Sequence, residues 1–345
     1  MTAPPLRLGS PAELLAVIPH LLGFQPHQAI VLLALRDHRI GLTQRIDVPA
    51  PERVEEVANS LVRHMLRDGA NAALLVAYED VKGASEAVIE QVTERLIGSE
   101  VSIRDRLVVH GGRWRSLDCG SLGCCPPEGN RLPSDAEVAS SVAEFIGRGS
   151  APLRDRAALA AQVEAGPAAR EVEEVIRRER EASATTKEDS ADHELAEAWA
   201  RILSGHRDVI DVPDAALALR SLNQRDIRDG ITSLLIRNGP DVNVLPANTR
   251  ALHRAIPEAR ARHERAEIDE LTADDVRARL IRLCQYAIDD YAAPVLSLLA
   301  TYSWWRGDGA LARVALDRAL RCDPDYRLAQ LLTLMLDEGI RPEPS

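Results

Sequence analysis

Segments that read as strands occur only in the first third of this chain, and that restriction limits its fold more than any other feature. Ala29–Leu35 is a continuous apolar stretch, Ala72–Tyr78 is a second and Leu107–His110 a third. Runs of this length with little alternation fit strands buried on both faces. Ile40–Val48 alternates and follows the short polar break Arg36-Asp37-His38, so it reads as the hairpin partner of the first run. Two amphipathic stretches lie between the runs. Pro51–Arg67 puts Val54, Val57, Leu61 and Met65 at helical spacing, and Ala84–Ile97 does the same with Val88, Val92 and Leu96. Gly111-Gly112 then turns the chain into a short segment, Arg113–Leu117. The order strand, strand, helix, strand, helix, strand, strand predicts a mixed α/β sheet over roughly residues 10–120, with right-handed crossovers between parallel strands.

The preceding segment starts a helix at Ser10-Pro11-Ala12-Glu13, where Ser10 caps, Pro11 suits the first turn and Glu13 reaches back. Gly23 stops it, and Pro19 is expected to bend or end its last turn. Beyond Pro126-Pro127 no segment reads as a strand. Ser134-Asp135-Ala136-Glu137 opens a helix with a second capping box. Glu164–Glu197, with Ala182–Thr186 in its middle, is dense in charge and reads as a solvated helix or a linker. Helices follow from Asp192 onward, with breaks expected near Pro213, Gly239-Pro240, Pro246 and Pro257. The expected organisation is an α/β domain over 1–130, a helical, charged connecting segment over 131–205, and an all-helical domain over 206–345.

Charge and cysteine content narrow the setting. With 42 basic against 53 acidic residues the chain carries −11, which gives no general attraction to nucleic acid or to anionic lipid. The longest apolar run is strand-sized, and Met1–Arg7 holds no apolar run of signal length, so neither a membrane span nor a leader is expected. Five cysteines give no disulfide framework, and the expected location is cytoplasmic.

Ala293–Tyr326 resembles one tetratricopeptide unit of helix–turn–helix, through Ala300, Gly307, Ala312, Ala319, Leu320 and Pro324. The residues support a hairpin on their own: Gly307 sits at the turn, two small alanines allow close approach, and Asp323-Pro324 ends the second helix. A hairpin built only for packing has the same pattern as one that holds a peptide.

Three ordered motifs carry a wider resemblance. They are Ser10–Pro26 leading into the first strand, Gly112-Arg113-Trp114 with Cys124-Cys125-Pro126-Pro127-Glu128-Gly129, and Trp305–Ala312 followed by Asp323-Pro324-Asp325-Tyr326. Together they resemble "domain of unknown function 4192", a family found mainly in actinobacteria. The resemblance spans nearly the whole chain, and implies that the C-terminal helices are part of one family unit. It brings no activity with it.

Chemistry therefore has to be sought in the residues. Cys119, Cys124 and Cys125, with His110 upstream, are the candidate metal ligands. Zinc takes four Cys/His ligands in structural sites, usually in pairs two to four residues apart, whereas adjacent cysteines are expected to point apart. A redox pair of Cys119 with Cys124 or Cys125 is one alternative. Buried cysteines that lock a Pro-Pro loop are the other, and on this reading no cofactor is required. Arg113, Trp114, Arg115 and Glu128 form a second candidate group beside Gly111-Gly112, which reads as a hairpin turn or as an anion cradle. Phe24 is expected to fill the core. No Gly-x-Gly-x-x-Gly, P-loop, Gly-x-Ser-x-Gly or His-Glu-x-x-His motif occurs. The leading expectation is a non-catalytic interaction or regulatory protein that docks a protein partner through its C-terminal helices. The alternative is an enzyme or a small-ligand or metal binder with its site at the Cys-rich loop.

Overall fold

Residues 9–36, 39–147, 151–182, 188–204, 209–236, 239–263 and 273–342 are described by a computed structural model. Met1–Arg7, the Asp37-His38 pair of the expected hairpin break and residues 183–186 of the expected linker lie outside them. The chain divides into two compact units, Met1–Ala158 and Leu159–Ser345.

The first unit contains α1 (Pro11–Leu22), β1 (Ala29–Arg36), β2 (Arg39–Asp47), α2 (Val54–Arg67), β3 (Ala72–Glu79), α3 (Glu86–Gly98), β4 (Ser102–His110), β5 (Arg113–Ser116), β6 (Asn130–Arg131) and α4 (Asp135–Gly147). Its six-stranded sheet is mixed, in the order β2-β1-β3-β4-β5-β6. β1 pairs antiparallel with β2 and with β3, β3 and β4 are parallel, and β4–β5 and β5–β6 are antiparallel. Seven consecutive buried residues, Ala29–Leu35, occupy the interior strand β1. Ile30, Leu32 and Ala34 join Leu75 and Ala77 of β3 in a core with Ala58, Leu61 and Met65 of α2 and Val88, Val92 and Leu96 of α3. Val31 and Leu33, which face the other way, are also fully buried. Coverage of both faces is why the run has no polar alternation, and each such side chain contributes roughly 1.5–3 kcal/mol of burial.

Local signals hold at the helix ends. Ser10 Oγ accepts from Glu13 N–H (3.3 Å), the Glu13 carboxylate accepts from Gly9 N–H (2.7 Å), and Gly23 ends α1 with φ 76°. Pro19 is buried within α1, which continues to Leu22. Before α4, Glu137 Oε2 accepts from both the N–H and the hydroxyl of Ser134 (2.7 Å each). α4 packs against α1, with the His20 and Phe145 rings 5.3 Å apart. Phe24 is buried at 2% exposure and bridges to Leu153.

One expectation fails here. A strand does occur after Pro126-Pro127: β6 is two residues long, and its Asn130 and Arg131 pair with Trp114 and Arg113. A pairing this short leaves no periodicity to detect.

α5 (Arg156–Ala161) runs across the boundary, and the second unit continues with α6 (Ala169–Ala182), α7 (Glu188–Leu203), α8 (Val212–Leu222), α9 (Arg225–Leu235), α10 (Ala247–His263), α11 (Ala273–Gln285), α12 (Ala292–Trp305), α13 (Gly309–Cys322) and α14 (Arg327–Asp337). The charged α6 buries Ala169, Val172 and Ile176, a narrow stripe at helical spacing. Pro213 lies in the first turn of α8 and Pro246 just before α10, where each suits a helix start. Pro257 does not break α10, which continues to His263; Ile256 and Ala259 beside it are buried, and packing holds the helix through the missing hydrogen bond. α12 and α13 form a helical hairpin turned at Gly307 (φ 81°), with Ala312 and Ala319 fully buried, and α14 packs on both helices. Arg318 of α13, 3% exposed, donates to the carbonyls of Val163, Cys284 and Ala287. Among the described residues no helix is long and apolar enough to cross a membrane.

Candidate functional site

The three clustered cysteines lie in the loop that leaves β5 and returns as β6 at the edge of the sheet. β4 leads into β5 through Gly111-Gly112, whose φ values of 58° and 74° and the flanking pair His110–Arg113 make a two-residue hairpin turn. Both glycines serve the turn, since left-handed backbone is costly with a side chain.

Past β5 the loop is fixed to its own sheet. Leu117 N–H donates to Arg106 O (2.7 Å), and the Asp118 carboxylate takes the backbone N–H and the guanidinium of Arg106. Ser116 Oγ donates to Asp105 (2.6 Å) and accepts from Asp118 N–H (3.1 Å). Cys124 and Cys125 N–H both donate to Ser121 O, forming one tight turn. Asn130 Nδ2 then donates to Cys124 O (2.7 Å), and Arg113 Nη1 to Gly129 O (2.7 Å). Gly129 has φ 77°, and a Cβ there would lie 3.0 Å from the Trp114 carbonyl oxygen.

This frame brings the Sγ atoms of Cys119, Cys124 and Cys125 within 4.8 Å of one another. Adjacent Cys124 and Cys125 do not diverge, contrary to the expectation from spacing, because the tight turn on Ser121 O curls both toward Cys119. Cys119 and Cys124 sulfurs are 2.9 Å apart. A disulfide needs ~2.05 Å, and two thiolates on one tetrahedral zinc stand about 3.8 Å apart at Zn–S of ~2.3 Å. The Cys119–Cys124 separation lies between the two, and all three sulfurs stay within 4.8 Å. The thiols are not core residues: Cys124 is exposed, and Cys119 and Cys125 are half-buried.

The sulfurs differ in acidity. The Cys124 thiol donates to Cys119 and, with backbone at Ser121 and the Cys125 thiol, holds Cys119 below the ordinary thiol value. Giving up that proton is correspondingly harder for Cys124, whose value is raised. Of these two, Cys119 is the readier thiolate.

The other candidate residues are placed differently. His110 Nδ1 lies 3.0 Å from Glu79 O and must donate to it, and His110 is not a member of the sulfur cluster. Arg113 and Arg115 are exposed and Trp114 is buried, as alternation along β5 requires. Glu128 is exposed on the loop. A second polar cluster escaped the sequence reading. Glu79, at the carboxyl end of β3, accepts from Gly83 N–H (2.9 Å), Ser85 N–H (3.0 Å) and Ser85 Oγ, and His110 stands in register with it on β4. Ser85 is fully buried and Glu79 is 7% exposed, so their hydrogen bonds organise the β3–α3 loop. Only the parallel pairing of β3 and β4 brings His110 to them.

Comparison with curated proteins and with solved structures returns no match. A family model matches residues 11–343, nearly the whole chain, and the chain belongs to that family, described as a domain of unknown function, DUF4192.

Proposed function

We propose that this protein is a metal-binding protein that holds one zinc ion on the thiolates of Cys119, Cys124 and Cys125, with a fourth position open to solvent. The observation that carries this reading is the convergence of three sulfurs within 4.8 Å at an exposed sheet edge. Three protein ligands with one open position distinguish exchangeable or reactive zinc sites from closed structural ones. Three thiolates leave a divalent ion with a net charge of about −1, which weakens it as a Lewis acid toward water. The chemistry therefore favours metal sensing or transfer over hydrolysis, and thiolates in this state fit a reducing, cytoplasmic setting.

The test is zinc stoichiometry of the reduced, purified chain by native mass spectrometry, followed by competition with a chromophoric chelator. One zinc per chain is expected, with affinity at least ~100-fold weaker in each of Cys119→Ser, Cys124→Ser and Cys125→Ser, since ligand bonds supply most of a site's binding energy. A wild-type chain that takes up no zinc in the presence of reductant would sink the reading.

A second reading, a protein partner on the C-terminal helices, has its own observation. Leu331 and Leu334, three residues apart on α14, are 48% and 59% exposed beside the tetratricopeptide-like hairpin of residues 293–326. An apolar pair on that face suits an amphipathic helix of a partner. Replacing both by Glu should abolish a complex formed by the wild-type chain while leaving its thermal midpoint intact; an undiminished complex removes the helical face from consideration.

A further inference from the structure

Polar groups also converge in the second unit, where the first turn of α11, the last turn of α12 and the start of α13 enclose a cavity of about 120 Å³. Asp274, Arg277, Tyr302, Ser303, Arg306 and Asp308 line it. Ser303 is 1% exposed, and no group among the described residues is hydrogen-bonded to its Oγ. Arg277 Nε is likewise buried and unmatched.

Buried polar atoms are nearly always paired, so two adjacent orphans require explanation. The nearby carboxylates do not meet the need. Asp308 accepts from Leu311 N–H at Oδ1 (3.0 Å) and pairs with Arg277 Nη2 at Oδ2 (3.2 Å), Asp274 is exposed, and neither carboxylate is hydrogen-bonded to Arg277 Nε or Ser303 Oγ. An arginine Nε only donates, and a serine hydroxyl donates readily, so what is missing is an acceptor. A second guanidinium, that of exposed Arg306, stands at the mouth, 5.9 Å from the centre of the Trp305 ring. A cavity of this volume admits a phosphate or a short carboxylic acid and excludes a nucleotide.

We infer that this cavity binds a small oxyanion, whose oxygens accept from Arg277 Nε and Ser303 Oγ while Arg306 supplies charge at the entrance. The site is independent of the cysteine loop and stands whether or not that loop holds zinc. Hydrogen bonds to a charged acceptor are the strong ones, and planar guanidinium groups suit carboxylate and phosphate alike.

The full-length chain would be titrated with inorganic phosphate and separately with acetate, by calorimetry and thermal shift, with chloride at matched ionic strength as control. Saturable binding of one of the two is expected, and which one identifies the oxyanion class. Ser303→Ala should weaken that binding by roughly tenfold, the size of one charge-assisted hydrogen bond. The same variant should leave the ligand-free thermal midpoint unchanged or higher, because it deletes an unpaired hydroxyl. Arg306→Gln, at an exposed position, should weaken binding with no loss of fold. Absence of saturable binding to either anion overturns the inference. So does binding that survives both substitutions unchanged, or a Ser303→Ala chain that melts lower while binding normally.

Discussion

At Cys119 the sulfur's acidity is set by the thiol beside it. The hydrogen bond from Cys124 lowers Cys119 and raises Cys124, so the two should differ in reactivity although only five positions separate them. The thiolate is the nucleophile. In metal-free protein at about pH 7.5, iodoacetamide should label Cys119 before Cys124, and Cys124→Ala should slow Cys119 labelling by roughly threefold to tenfold. Peptide mass mapping over time measures both, and equal rates at the two positions would contradict the assignment. Glu79 offers a pH-dependent case. Burial alone pushes its carboxyl up, but the Ser85 hydroxyl, the N–H groups of Gly83 and Ser85 and nearby His110 bring it below the ordinary value. A depressed folded value contributes stability above the unfolded pKa, and that stability is lost as pH falls through the folded one. Glu79→Gln should therefore cost about 1–3 kcal/mol near pH 7, and the cost should shrink as the wild type is taken below about pH 4. Urea unfolding at several pH values reads this directly; a pH-independent cost would mean that the carboxylate charge is not what holds the loop. Neither residue announced its role in the sequence, because each depends on neighbours brought in by folding.

Helix contacts decide the outcome at the scale of elements. Gly230 lies inside α9, where propensity alone favours alanine by about 1 kcal/mol. A Cβ there would stand 2.5 Å from Cγ2 of Thr249, itself 1% exposed on α10. Gly230→Ala should accordingly destabilise by about 1–3 kcal/mol through overpacking, and adding Thr249→Ser, which deletes that methyl, should restore most of the loss. Equal midpoints for the single and double variants in thermal melts would refute the clash. Helix identity was legible from local pattern: α12 and α13 and their Gly307 turn follow from small residues and the Asp323-Pro324 stop, while the Asp308 cap on α13 was found only in the structure. The persistence of α10 through Pro257 was not legible, since buried Ile256 and Ala259 outweigh a local breaker. The two-residue β6 was equally invisible.

For the whole molecule, the first question is where the α/β unit ends. The sequence placed its close at residue 130, and the compact unit extends to Ala158. Leu153 exchanges backbone hydrogen bonds with Gly23 (2.9 Å) and Gln25 (2.8 Å), and α4 packs on α1. A fragment of residues 1–158 should therefore unfold cooperatively and be more stable by about 3 kcal/mol or more than one of residues 1–130, measured by denaturant titration. Equal stabilities would show that α4 and the Leu153 strap add nothing to the sheet. What the sequence determined by itself was the kind and order of elements: apolar runs without alternation, helical spacing and capping residues are local, and each is satisfied within one element. The strand order, the antiparallel placement of β3 beside β1, and the meeting of Cys119, Cys124 and Cys125 were decided by tertiary structure. Residue spacing measures distance along the chain, whereas convergence of the sulfurs depends on a loop drawn in by the Ser121 turn, by Arg106 and Asp118 beside the β4–β5 pair, and by Asn130 of β6.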